Sequence, residues 1–190
     1  LQGRLGAITL RAKDPRTNIE VDEMYITAYA PLETEGEGIL SLFWDTLLHW
    51  VQQVPTRRNI ILFIDANGRT GTDFVRTEFQ NTDWDIVGPS APERTTKNGE
   101  ELVLVCSTAG LRLANTWKSS QPTCYTPFSP EGHRVDYIGI GLERIDQTTV
   151  NIAVDIEKRL RLTAKDHVPV IIHTPQSSRY LYGARKVSKP

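Results

Sequence analysis

Asn59-Ile60-Ile61-Leu62-Phe63-Ile64-Asp65-Ala66-Asn67-Gly68-Arg69-Thr70-Gly71 holds five consecutive apolar residues, three of them β-branched, that stop abruptly at Asp65. The run is too short for a helix and suits a strand buried on both faces. Asn67-Gly68 tolerates positive φ, so a turn follows. In an extended segment Asp65 and Asn67, two residues apart, project to the same side at the mouth of a sheet, where a site can be built. The same residues also serve simply as turn caps, and both uses stay open at this point. Gly68 and Gly71 also suggest a phosphate loop, but only weakly, because the Walker G-K-[ST] ending and the G-x-G-x-x-G pattern are both missing.

Outward from this strand the pattern is that of an α/β chain. Gly3 to Lys13 and Glu23 to Tyr29 alternate loosely, punctuated by Asp14-Pro15 and Asn18, which predicts an antiparallel pair of strands ending at Tyr29-Ala30-Pro31. Leu40, Phe43, Leu47, Trp50, Val51 and Val54 recur at spacings of three and four, predicting an amphipathic helix of about four turns closed by Pro55. Thr72 to Lys97 is polar and reads as a long surface segment. Asn98 is placed to cap a second helix, with Glu100 and Glu101 in its first turn and Gly110 as its stop. Leu111 to Ala114 restarts as a strand. Thr123 to Phe128 and His133 to Ile140 flank Ser129-Pro130-Glu131-Gly132 as a hairpin with a four-residue turn. There Asp136 shares a face with Ile138 and Ile140, so its carboxylate needs a hydrogen-bond or charge partner. Thr149 to Ile156 is a further strand, and Val168 to Ile172 another, with Asp166 and His167 at its start.

The 190 residues, 39% hydrophobic and 24% charged, suit one domain with a sizeable core. No apolar run approaches the roughly 18 residues of a membrane helix, and nothing in the chain addresses a compartment. The expected organisation is a domain over 1–174 and a basic C-terminal tail over 175–190. From Glu157 onward Lys158, Arg159, Arg161, Lys165, Arg179, Arg185, Lys186 and Lys189 face only Glu157 and Asp166, whereas the net charge of the whole chain is -1. Polyanion binding would therefore be local to this end, where a solvated basic tail fits as well. Cys106 and Cys124 are too few for a disulfide framework or a C-x-x-C metal site, and buried thiols are expected. The chain starts at Leu1 in what looks like the middle of a fold, which suggests a fragment.

The strand-end residues together resemble the endonuclease/exonuclease/phosphatase superfamily, with its apurinic-type endonucleases and non-LTR retroelement endonuclease domains. Tyr29-Ala30-Pro31 resembles the family's Y-x-P strand end. Ile64-Asp65-Ala66-Asn67 resembles its G-D-x-N box, with isoleucine for glycine. Gly110-Leu111 through Ala114-Asn115-Thr116 resembles the G-L-x-x-x-N-T segment, and Cys124-Tyr125-Thr126 stands where the family has T-W or Y-T. Val135-Asp136-Tyr137-Ile138 resembles I-D-Y-I, and Lys165-Asp166-His167-x-Pro169-Val170 resembles S-D-H-x-P-V. The boxes follow in family order over about 140 residues, which makes the set far more specific than any one of them.

The resemblance implies a four-layer α/β sandwich of two packed mixed sheets flanked by helices, incomplete at the N-terminus. It implies metal-dependent hydrolysis of a phosphoester, with Mg²⁺ (or Mn²⁺) as cofactor and nucleic acid, DNA first, as partner of a monomeric chain. Asp65 would orient or deprotonate the attacking water, and Asn67 would hold phosphate and water through its amide. His167 would donate to a phosphate oxygen, oriented and kept protonated by Asp136. Tyr29 would contact the phosphate, and Asp166 would lie on the metal side. Thr126 would line a DNA-facing wall, and Lys165, standing where the family has Ser or Thr, would bind phosphate or compete with the metal. The family's metal-binding Glu precedes the Y-x-P strand by more residues than are available here. Hard carboxylate donors suit Mg²⁺, while His49, His133 and His173 show no zinc-ligand spacing. The alternatives are an inactive or nucleic-acid-binding remnant of the same fold and a phosphatase- or phospholipase-type member.

Overall fold

The computed structural model describes residues 3–13, 20–56, 58–74, 86–91, 94–126, 129–152 and 167–173. Five strands form one mixed sheet: β1 (Leu5–Lys13), β2 (Glu20–Tyr29), β3 (Asn59–Asp65), β4 (Leu111–Leu113) and β7 (Asp136–Gly141), in the order β1-β2-β3-β7-β4. β1 and β2 pair antiparallel, as their alternation predicts, from Leu5 opposite Ala28 to Lys13 opposite Glu20. β2 and β3 pair in parallel because α1 (Glu37–Gln53) carries the chain back across the sheet between them. β3 is thus the central strand. Ile60, Ile61, Leu62 and Ile64 are buried, whereas Phe63 is 37% exposed.

Two cores lie on opposite faces of this sheet. On one, α1 and α2 (Lys97–Ala109) pack Phe43, Trp44, Leu47, Val51, Leu102, Val103, Val105 and Cys106 against Ile26, Leu62, Ile64 and Tyr137. On the other, Ile61, Ile138 and Ile140 meet Ala114 of α3 (Ala114–Lys118), together with Val150 of β8 (Thr149–Ile152) and Val170 and Ile172 of β9 (Val170–His173). β8 and β9 pair antiparallel, and β5 (Cys124–Thr126) pairs with β6 (Ser129–His133). Two long helices on one face of a mixed sheet, and a short helix with further strands on the other, make the layered α/β arrangement expected. Burial pushes the Cys106 thiol pKa up, while Cys124 is only half-buried.

Several boundaries differ from the sequence expectation, each for a physical reason. Trp44 rather than Trp50 enters the core, edge-on to Phe43 at 5.0 Å, because its indole N–H finds the buried Asn98 amide oxygen at 2.9 Å. Asn98 is not a cap. Thr96 is the N-cap residue, and the Asn98 side-chain amide donates to the carbonyls of Pro31 (2.8 Å) and Asn67 (3.3 Å). The Asn98 N–H is capped instead by Glu33 Oε1 at 2.9 Å. Thr72 to Lys97 is not all surface, since Ile86, Val87 and Ala91 are buried. Ser129 to Gly132 belongs to β6 and is not a turn, and β7 leaves that hairpin to pair antiparallel with β3 and β4. β7 does so because Tyr137 on one face and Ile138 and Ile140 on the other each have a core to join. Of the strand expected over Thr149 to Ile156, 149–152 is observed, and 153–156 lies outside the described residues. Gly110 does end α2, in the left-handed region at φ 66°.

At the end of the sheet away from Asp65, Glu23 and Arg144 form a buried ion pair at 2.7 Å, and the Tyr25 hydroxyl donates to the other Glu23 oxygen at 2.6 Å. That hydrogen bond, reinforced by burial and the Glu23 charge, pushes the Tyr25 pKa up to about 12 from its ordinary 10.0. A raised pKa means that the native state favours the protonated phenol. The associated stability is fully present below pH 10.0 and is lost as pH rises through about 12. Following tyrosinate absorbance with pH should show a late step, near pH 12, that disappears in Tyr25→Phe; a late step unchanged by that substitution would contradict the network.

Candidate active site

β3 and β7 end side by side with Asp65 directly opposite Asp136. Two carboxylates on facing positions repel, and a hydrogen-bonding group set between them separates the two. The imidazole of His167 stands there, its Nδ1 2.9 Å from Asp136 Oδ2 and its Nε2 3.8 Å from Asp65 Oδ2. One donor atom from each of the three residues lies within 4.8 Å of the others. They share a pocket of about 350 Å³ with Thr27, Phe63, Ile138, Pro169 and Val170.

The strand ends that carry these groups are fastened by backbone and buried polar bonds. Ala66 N–H donates to the Val135 carbonyl at 2.8 Å, and Ala30 N–H to the Asp65 carbonyl at 2.8 Å, so β2, β3 and β7 stop together. Asn115, fully buried, donates from its amide to the Asp136 carbonyl at 2.9 Å. Arg134, also fully buried, donates to the carbonyls of Ser90 (2.9 Å) and Ser119 (2.8 Å). Its own carbonyl accepts the Tyr137 hydroxyl at 2.8 Å, and that hydroxyl accepts the Thr70 N–H at 3.0 Å. The loop leaving Asp65 is pressed on the first turn of α2, where a Cβ added at Gly99 would overlap the Arg69 carbonyl oxygen.

Asp65, Asp136 and His167 are thus together, although they lie on three separate segments. Asn67 is beside them but off the extended path. The strand stops at Asp65, Asn67 takes φ 45°, its N–H donates to Asp65 Oδ1 at 2.9 Å and its amide donates to the Ala30 carbonyl at 2.7 Å. Tyr29 pairs with Asp65 across β2 and β3 and is 48% exposed, with the Arg4 guanidinium 5.3 Å from its ring centre. Thr126 ends β5. Lys165 and Asp166 lie outside the described residues, as does the basic tail over 175–190. The supporting roles of Asn115 and Arg134 were not readable from periodicity, which ranks polar residues as surface. The resemblance of Gly110 to Thr116 to the G-L-x-x-x-N-T segment was the one available signal, and it reached Asn115 alone.

No family model matches the sequence, and no curated protein matches it. The fold does match solved structures. The endonuclease domain of TRAS1, a telomere-specific non-LTR retrotransposon, aligns with a TM-score of 0.59 at 15% identity over 92% of this chain. The APE2 catalytic domain of Xenopus laevis gives 0.57 at 14% over 90%, and an AP endonuclease from Archaeoglobus fulgidus gives 0.54 at 13% over 88%. The chain spans 65%, 55% and 70% of those three structures respectively.

Proposed function

We propose that this chain, which has the fold of the endonuclease/exonuclease/phosphatase superfamily, is a divalent-metal-dependent phosphodiester hydrolase that cuts DNA in the manner of a retroelement endonuclease. The observation that carries the proposal is the convergence of Asp65, Asp136 and His167 at adjoining strand ends around one open pocket. Asp65 accepts a proton from the water whose oxygen attacks phosphorus, while the P–O bond to the leaving strand end breaks and its oxygen takes a proton from solvent. His167 donates from Nε2 to a phosphate oxygen, and Asp136 holds the ring by accepting from Nδ1. Such a donor, fixed before substrate arrives, stabilises charge as it develops on the phosphate.

The facing carboxylates are the hard oxygen donors that Mg²⁺ or Mn²⁺ takes, and the pocket has room for the waters such an ion keeps. Asp65 would hold it, with Asp166 as a further carboxylate. Such an ion would supply positive charge that offsets the charge developing on the phosphate. Tyr29 and Asn67 flank Asp65 and contact the phosphate, and Thr126 and Lys165 are the further candidates for binding substrate. No described helix is long and apolar enough to cross a membrane, and the proposed enzyme acts as a monomer.

The test incubates the chain with supercoiled DNA, structured RNA and phosphoinositide vesicles, each with Mg²⁺, with Mn²⁺ and with chelator. Metal-dependent nicking of DNA that chelator removes is expected. Turnover of phosphoinositide without nicking would move the substrate to the phosphatase type, and no turnover of any substrate would make the chain an inactive remnant.

A further inference from the structure

Asp136 is the first residue of β7, where a ladder ordinarily frays, yet it must stay within hydrogen-bond reach of an imidazole on a distant segment. One buried residue touches both sides of that contact. Thr123 Oγ1 accepts the N–H of Val135 at 3.1 Å and the N–H of Asp136 at 3.0 Å. Its carbonyl accepts the N–H of Val168, the residue after His167, at 2.7 Å, and its own N–H donates to His133 at 2.9 Å. The next residue, Cys124, bridges to His167 in antiparallel fashion. Thr123 is fully buried, so water cannot replace these bonds. Both lone pairs of a hydroxyl are needed to take two N–H groups, and serine is the other small side chain that offers them.

We propose that Thr123 is a positioning residue that sets the distance between Asp136 and His167, with its hydroxyl holding the carboxylate's segment and its carbonyl holding the imidazole's. The role in turnover rests on the hydrolase assigned above; the geometric role does not. Thr123→Val keeps shape and β-branching and removes the acceptor, whereas Thr123→Ser keeps the acceptor. Misplacing a reacting group by about 1 Å costs on the order of 100-fold in rate.

The experiment therefore compares DNA nicking kinetics of the chain and both variants, and records the downfield Nδ1–H proton resonance of His167 by NMR. Thr123→Val is expected to lower kcat about 100-fold with KM within about twofold, and to lose the resonance; Thr123→Ser should keep the resonance and a rate within about threefold. An unchanged resonance and rate in Thr123→Val overturns the proposal, as does a serine variant that fails as badly as valine. A wild-type chain that cuts nothing, but whose resonance is lost in valine alone, sinks the hydrolase and supports the positioning role. Amide exchange in the unsubstituted chain gives a measure independent of variant folding. Val135, Asp136 and Val168 should be protected together, and fast exchange at these amides overturns the proposal.

Discussion

Replacing Asp65 by asparagine is expected to lower metal-dependent DNA cleavage by about 1,000-fold, within the range that loss of a general base produces. The substitution separates chemistry from structure. Asparagine keeps the side-chain oxygen that accepts the Asn67 N–H at 2.9 Å, so the turn after β3 survives. It also removes one of two carboxylates that face each other across β3 and β7, which relieves a repulsion. Stability should therefore stay level or rise while activity falls, as at sites whose charges serve function against the fold. Nicking assays beside urea unfolding check both halves. A variant that cuts at the wild-type rate would remove Asp65 from the chemistry, and a parallel loss of stability and activity would make its role structural.

Removing Arg144 is expected to have the largest effect on stability. Arg144 and Glu23 are 2.7 Å apart with side chains 4% and 6% exposed, at the end of the sheet remote from Asp65. Arg144→Ala leaves a buried carboxylate without its cation, which costs about 3–5 kcal/mol. The double substitution Glu23→Gln with Arg144→Met should recover most of that loss, because the charge that lacked compensation is gone as well. Urea denaturation of the three chains measures the difference. A loss below about 1 kcal/mol in Arg144→Ala would mean that solvent reaches the pair.

Periodicity located the elements that bury apolar faces. β1, β2 and α1 fall where alternation or three-four spacing placed them, β3 where its unbroken apolar run placed it and α2 where its start and stop signals did, because each must bury apolar side chains. It failed where a polar atom decided the outcome. Trp44 displaced Trp50 from the core because Asn98 could accept its indole N–H. Ser129 to Gly132 has turn composition yet runs as a strand, since pairing with Cys124 to Thr126 satisfies its backbone and composition alone cannot see a partner. The candidate site was legible only as a set of strand-end residues with a family resemblance. Which of them would meet depended on the order β2-β3-β7, a long-range property that no local spacing records. Thr123 escaped notice because a threonine before a strand has many uses, and its partners are set by the tertiary fold.

Asp65 and His167 are brought within 3.8 Å from positions about a hundred residues apart. Contacts of such high sequence separation form late, since loop closure precedes any reward. The larger core cluster draws its buried residues from Ile26 to Tyr137, has none from 167–173, and so can consolidate without the segment that bears the imidazole. During synthesis the sheet and its two helices can therefore condense while the histidine is still inside the ribosome. Docking of residues 167–173 becomes the event that brings His167 to Asp65 and Asp136.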